Sequence, residues 1–144
     1  MISESKRILL VDDDISSWRL FAFALKRADN TATFTHVNDG AAALEILNNL
    51  KTKLPDLIFL DLNMPKMSGR ECLTRIKATK RLCHIPVIML TGSKSERDVS
   101  ETKMLGASFF ITKPFDFADF VEVIRYTLME NVNAGKHLES IEVF

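Results

Sequence analysis

The chain has 144 residues, 47% of them apolar and 26% charged, which suits one soluble globular domain and excludes a disordered or low-complexity segment. Its 19 basic and 19 acidic side chains balance, so no net field draws it onto nucleic acid or an anionic membrane. No apolar run approaches the ~20 residues needed to span a bilayer, and residues 1–7 lack the apolar core of a secretion signal.

The first element is Ile8–Val11 (ILLV), a continuous apolar run of the kind that forms a parallel strand covered on both faces. Asp12, Asp13 and Asp14 follow it. Ile15, Trp18, Phe21, Ala22 and Leu25 then recur at three- and four-residue spacing, the stripe of an amphipathic helix, and Asp14 is the best-placed cap. Residues 32–37 (ATFTHV) alternate Thr with Ala and Phe, which predicts a strand with one poorly covered face at the edge of the sheet. Beyond the Asn38-Asp39-Gly40 turn, Ala43, Leu44, Leu47 and Leu50 predict a second helix. Leu57–Leu60 (LIFL) is a third strand, closed by Asp61, and Leu73 and Ile76 mark a short helix that ends before a loop at 79–84. The Lys77–Arg81 stretch (KATKR) reads as a solvated helix end.

Pro86–Leu90 (PVIML) is the fourth strand, with Thr91 at its end. Glu96–Leu105 carries only a weak stripe (Val99, Thr102, Leu105), so it predicts a helix with a modest grip on the sheet. Ser108–Ile111 (SFFI) is the fifth strand, and Lys113 lies just past it. Phe117, Phe120, Val121, Ile124 and Leu128 form the clearest stripe, capped by Asp116. Residues 131–144 read as a frayed tail behind a domain spanning 6–130, with Leu138, Ile141, Val143 and Phe144 available as a small apolar docking face. Strands alternating with helices in this way imply βαβ units and a parallel sheet with right-handed crossovers.

The chemistry-bearing residues fall at strand ends: Asp12 and Asp13 after the first, Asp61 after the third, Thr91 at the fourth and Lys113 after the fifth. Carboxyl ends of parallel strands share one edge, where α/β sheets bind their ligands. Two carboxylates ~4 Å apart repel by about 4 kcal/mol at an effective dielectric of about 20, so an acidic cluster there raises its own pKa values or takes a cation. Hard oxygen donors suit Mg²⁺. A carboxylate nucleophile, a metal, a lysine and a hydroxyl together describe phosphoryl transfer. His36, His84 and His137 are scattered and read as neither ligands nor phosphoacceptors. Cys72 and Cys83 lack CxxC spacing and read as reduced thiols of a cytoplasmic protein.

The runs Leu9–Asp14 (LLVDDD), Asp56–Gly69 (DLIFLDLNMPKMSG), Pro86–Gly92 (PVIMLTG) and Gly106–Phe115 (GASFFITKPF) together resemble the motifs of response-regulator receiver domains, in the right order and spacing. The resemblance implies a flavodoxin-like (βα)5 fold, a doubly wound five-stranded parallel sheet of order 2-1-3-4-5. It makes Asp61 the phosphoacceptor for a sensor histidine kinase or phosphotransfer protein. Asp13 becomes a direct Mg²⁺ ligand, with Asp12 acting largely through water and Asn63 through its backbone carbonyl. Thr91 and Lys113 become the hydroxyl and cation that contact the phosphoryl group, and Gly92 the small residue that leaves the site open. Phe110 stands where many members have Tyr, the aromatic that turns inward when the hydroxyl engages phosphate; Phe can fill that pocket but has no hydroxyl for a partner. The Lys113-Pro114 bond corresponds to one that is often cis in the family. Ser68 replaces a frequent Asp, and Asn63 and Ser93 flank the water path to the phosphate.

With no room for an effector domain after residue 130, the expected output is an interaction, with a downstream protein or a second copy, through the fourth helix, fifth strand and fifth helix (roughly 95–128). The DLNMPK and GRE segments look most like stand-alone receivers that work with phytochrome-type or other sensor kinases. The resemblance implies a chain that catalyses its own phosphorylation and dephosphorylation, with no turnover of an external substrate expected. A competing reading is a receiver fold that docks partners without phosphorylation, for which Phe110 is the feature in favour. A third, an aspartyl phosphohydrolase, calls for a DxD pair and a cap domain, whereas Asp12 and Asp13 are adjacent and no cap insert is present.

Overall fold

The computed structural model describes residues 5–93, 95–129 and 140–144. The elements run β1 (Arg7–Val11), α1 (Ile15–Ala28), β2 (Thr33–Val37), α2 (Gly40–Asn48), β3 (Leu57–Leu60), α3 (Gly69–Ala78), β4 (Val87–Thr91), α4 (Glu96–Met104), β5 (Phe109–Thr112), α5 (Phe117–Met129) and β6 (Ile141–Val143). The sheet order is β2-β1-β3-β4-β5-β6. The first five strands are parallel in the expected order, and the sixth adds an antiparallel edge.

The continuous apolar strands are explained by two cores, one on each face of the sheet. Ile8, Leu10, Leu57, Phe59, Ile88, Leu90 and Ile111 point toward α1 and α5, where Phe21, Ala24, Phe120 and Ile124 meet them. Their neighbours Leu9, Val11, Ile58, Leu60, Val87, Met89 and Phe110 point the other way, onto Leu47 of α2 and Cys72, Leu73 and Ile76 of α3. Alternation along each strand feeds both layers, so β3 is apolar throughout and the one polar side chain of β4, Thr91, stands at its carboxyl end. Among the described strands β2 pairs with β1 alone, and its alternating threonines fit an edge strand.

The helix stripes are shifted in places. In α1 the buried set is Phe21, Ala24 and Leu25, and Ile15 is exposed at the mouth of the first turn. Leu50 lies beyond the end of α2 and is exposed. α4 buries only Thr102, so its apolar contact is as small as its sequence indicates. Ionic contacts supplement it: Arg70 of α3 pairs with Asp98 and with Glu101, the latter at 2.6 Å, and Arg97 adds a 2.7 Å contact to Glu101.

Two further expectations are corrected. Lys77 is half-buried and donates from Nζ to the carbonyls of Cys83 (3.1 Å) and Ile85 (2.8 Å), while Arg81 donates to the Leu47 carbonyl at 2.7 Å. Both ends of KATKR therefore fasten the α3–β4 connection to its neighbours. The end of the chain is also ordered against the sheet: Ile111 pairs with Ile141 and Phe109 with Val143, and Ile141 is buried in the α1/α5 core. An otherwise open β5 edge attracts a strand because its unpaired amides and carbonyls need partners. Leu138, the other end of the expected docking face, lies outside the described residues. No helix among the described residues is long and apolar enough to cross a membrane.

Candidate phosphoacceptor site

The sheet order reverses between β1 and β3, and the crevice above that point receives the residues that follow those strands. Asp12 follows β1 and is buried, its amide donating to the Val37 carbonyl at 3.2 Å. Asp61 follows β3 and is 8% exposed, its amide donating to the Val11 carbonyl at 2.9 Å, which fixes the two aspartates side by side. Asp13, next in the chain after Asp12, is exposed. One carboxylate oxygen from each of Asp12, Asp13 and Asp61 falls within 4.8 Å of the others.

Local sequence enforces this convergence. Asp14 leaves the rim to cap α1, accepting from Ser16 N at 2.9 Å, while Asp12 Oδ1 accepts from Asp14 N at 2.9 Å and closes the turn. Below Asp61, the chain turns at Lys66, a non-glycine residue with φ 67°, and re-enters α3 at Gly69. A Cβ at Gly69 would lie 2.3 Å from the Asp61 carbonyl oxygen and 2.7 Å from Leu62 Cα. Only glycine permits that approach, and Gly69 N donates to the Leu62 carbonyl at 2.8 Å to hold it. Ser68 caps α3, its hydroxyl accepting from Glu71 N at 3.2 Å, the work an Asp would do there.

Lys113 reaches back across the rim. Its amide donates to the Thr91 carbonyl at 2.8 Å, and its Nζ lies 3.1 Å from both Asp12 Oδ2 and Ser17 Oγ. Thr91 is buried at the end of β4, its hydroxyl accepting from Ser93 N at 3.4 Å. A Cβ at Gly92 would meet nothing within 4 Å, so the rim is open there. Phe110 is 1% exposed and turned into the core. The peptide bonds of the described residues are all trans, including Lys113-Pro114. The two isomers of an X–Pro bond differ by only about 0.5–1 kcal/mol, so sequence resemblance does not force either one.

Electrostatics set the chemistry. Burial pushes the Asp61 carboxyl up to about 6, and the negative charges of Asp12 and Asp13 add to the rise; Lys113 and the Asn63 amide, 3.3 Å from Oδ1, oppose it. Three carboxylates facing one ammonium leave negative charge uncompensated. Hard oxygen donors at this spacing fit a divalent cation with room for waters, as Mg²⁺ or Mn²⁺ requires. The cluster fits such an ion on its donor chemistry alone.

Two groups at the site carry no signal in a single sequence. Ser17 is one hydroxyl among several on an exposed helix start, and only the fold puts it on Lys113. His36 reaches Asp12 from β2, with Nε2 2.7 Å from the Asp12 carbonyl oxygen.

The profile described as the response regulator receiver domain matches residues 8–125. The chain belongs to this family. Response regulator Rcp1 of Synechocystis sp. is 37% identical to this receiver over 128 residues, covering 83% of the chain and 84% of Rcp1. The crystal structure of the Mn²⁺-bound form of response regulator Rcp1 superposes with a TM-score of 0.76 at 32% identity, over 96% of this chain and 99% of that one. The phosphorylated cyanobacterial phytochrome response regulator RcpA superposes with a TM-score of 0.79 at 32% identity, over 95% and 100%. Receiver domains bind Mg²⁺ or Mn²⁺ at an acidic pocket, and this chain gathers the carboxylates of Asp12, Asp13 and Asp61 in one cluster.

Proposed function

We propose that this receiver is a phosphorylation-dependent switch of a two-component system, accepting a phosphoryl group on Asp61 from a histidine kinase or phosphotransfer protein in the cytoplasm. The observation that carries the proposal is the buried Asp61 carboxylate gathered with Asp12 and Asp13 within 4.8 Å, beside a lysine fastened at the same rim. Asp61 Oδ attacks phosphorus, the N–P bond of the donor phosphohistidine breaks, and the electron pair returns to the imidazole. An aspartyl phosphate forms, and its later attack by water restores the carboxylate and releases inorganic phosphate.

Asp12, Asp13, Asp61 and the Asn63 carbonyl would hold Mg²⁺, which when bound offsets the charge of the carboxylates and the phosphoryl oxygens. Lys113 supplies a second positive charge to those oxygens. Thr91 supplies a hydroxyl, and its move toward the phosphate draws on the space beside Gly92. Phe110 already fills the pocket that an inward-turned aromatic occupies, so the switch in this chain rests on Thr91 and the β4–α4 loop more than on ring rotation. The output surface is α4-β5-α5 with β6 paired along the β5 edge, and α4 has little apolar contact to lose. Population shift between two placements of such an element needs only a modest differential affinity for phosphate. We read residues 6–130 as the receiver unit and 131–144 as a tail whose last residues close the sheet. Similarity to RcpA favours a phytochrome-type sensor kinase upstream.

The docking-module reading retains one observation: Phe110 has no hydroxyl to offer a partner. Incubation with acetyl phosphate, with and without Mg²⁺, followed by intact-mass measurement separates the two. A single base-labile, Mg²⁺-dependent phosphoryl adduct that Asp61→Asn abolishes is expected; no adduct under either condition would make docking the leading reading.

A further inference from the structure

β2 stands at the edge of the sheet and contributes no carboxylate, hydroxyl or ammonium to the phosphoacceptor rim. Its last two residues nevertheless hold both backbone polar groups of Asp12. Val37 accepts the Asp12 amide at 3.2 Å, and His36 Nε2 lies 2.7 Å from the Asp12 carbonyl oxygen. A carbonyl has only lone pairs to offer, so Nε2 carries the proton and donates. Asp12 is 1% exposed, and a carbonyl buried there without a donor would be left unsatisfied.

The imidazole is itself aimed by a second ring. Trp18 lies one helical turn beyond Asp14 on α1, tied by its amide to the Asp14 carbonyl at 3.1 Å. Its indole stacks on His36 with centroids 4.7 Å apart and planes 20° from parallel. Face-to-face contact of this kind restricts rotation of the imidazole about its χ2 bond and keeps Nε2 on the Asp12 carbonyl. The β1–α1 turn is thus clamped from β2 on one side and α1 on the other. That turn carries Asp12 and Asp13, two of the three carboxylates of the rim.

We infer that His36, oriented by Trp18, is a positioning residue that sets the Asp12-Asp13 turn for divalent-cation binding through a hydrogen bond to the Asp12 carbonyl. The inference rests on reading the Asp12-Asp13-Asp61 cluster as the cation site. Groups that orient metal-binding residues without touching the ion alter affinity by roughly 10–100-fold when removed. The clamp acts on the main chain of one carboxylate, so the low end of that range applies.

The test is Mn²⁺ titration of the purified full chain, read by loss of the free-ion electron paramagnetic resonance signal, beside urea unfolding of each protein without metal. His36→Phe keeps a ring against Trp18 but removes the donor; His36→Gln returns an amide N–H near the Nε2 position without the stack. The expected result is about 10-fold weaker Mn²⁺ binding in His36→Phe, substantial recovery in His36→Gln, and cooperative unfolding in both. Wild-type affinity in His36→Phe would overturn the clamp, and so would equal weakening in the two variants, since the donor would then not be the operative group. A wild-type chain that bound no Mn²⁺ would instead overturn the cation site itself, and the clamp with it.

Discussion

Asp61 is held as an anion at a cost in stability, and Asp61→Asn should therefore make the metal-free protein more stable at neutral pH. Its carboxyl is raised from an ordinary value of 3.8 to about 6, chiefly by burial and then by the charges of Asp12 and Asp13. A group whose pKa is raised on folding stabilises the folded state while it is protonated, and loses that contribution as pH rises through the window from about 4 to about 6. Above the window the full penalty applies. Two pH units correspond to about 3 kcal/mol, and because the rim opens to solvent on the Asp13 side, screening reduces this to on the order of 1–2 kcal/mol. With a urea m-value of about 2 kcal/mol per molar, the unfolding midpoint of Asp61→Asn should rise by roughly 0.5–1 M at pH 7.5 in EDTA. The gain should shrink toward zero as pH falls through the same window. If the cluster holds Mg²⁺ as proposed, only the folded state binds it, so adding Mg²⁺ should stabilise the wild type more than the variant and narrow the gap. A variant less stable than wild type at pH 7.5, or a gain independent of pH, would refute this account and make Asp61 a structural residue.

Gly69→Ala places a Cβ where the Asp61 carbonyl oxygen is 2.3 Å away; backbone must shift, and a loss on the order of 3 kcal/mol in urea unfolding is expected, with a change under about 0.5 kcal/mol counting against the close approach. Arg70→Ala removes the guanidinium that joins α3 to Asp98 and Glu101. Amide hydrogen exchange along Glu96–Met104 should quicken while the central strands keep their protection, and unchanged exchange in α4 would show that its packing alone suffices. Cys72 is buried and its thiol is pushed up to about 12, whereas Cys83 is exposed. A thiol-specific disulfide reagent should modify one equivalent in the native protein, at Cys83, and the second only on unfolding.

Much of this molecule is readable without coordinates because the relevant physics is local. The apolar runs of β1, β3 and β4 have to be central strands, since residues such as Leu9 and Leu10 need cover on opposite faces. The threonines of β2 place it at an edge for the converse reason. Asp12, Asp61, Thr91 and Lys113 each sit at a strand's carboxyl end, and parallel pairing then obliges them to share one rim. What residue order leaves open are contacts between segments far apart in the chain, where many partners satisfy the same local preference. Ile141 could have frayed; the unpaired edge of β5 gives it hydrogen bonds and a place in the core. Lys77 and Arg81 look like solvated cations, yet the fold brings carbonyls of Ile85 and Leu47 within their reach. His36 is an ordinary edge-strand residue by pattern, and becomes part of the site because β2 lies beside β1 in a register that sets it against Leu10, two residues before Asp12. Chemistry at a strand end is a property of the chain; which neighbour steadies it is decided by packing, because a hydrogen bond 24 residues long in sequence and 2.7 Å long in space has no local cause.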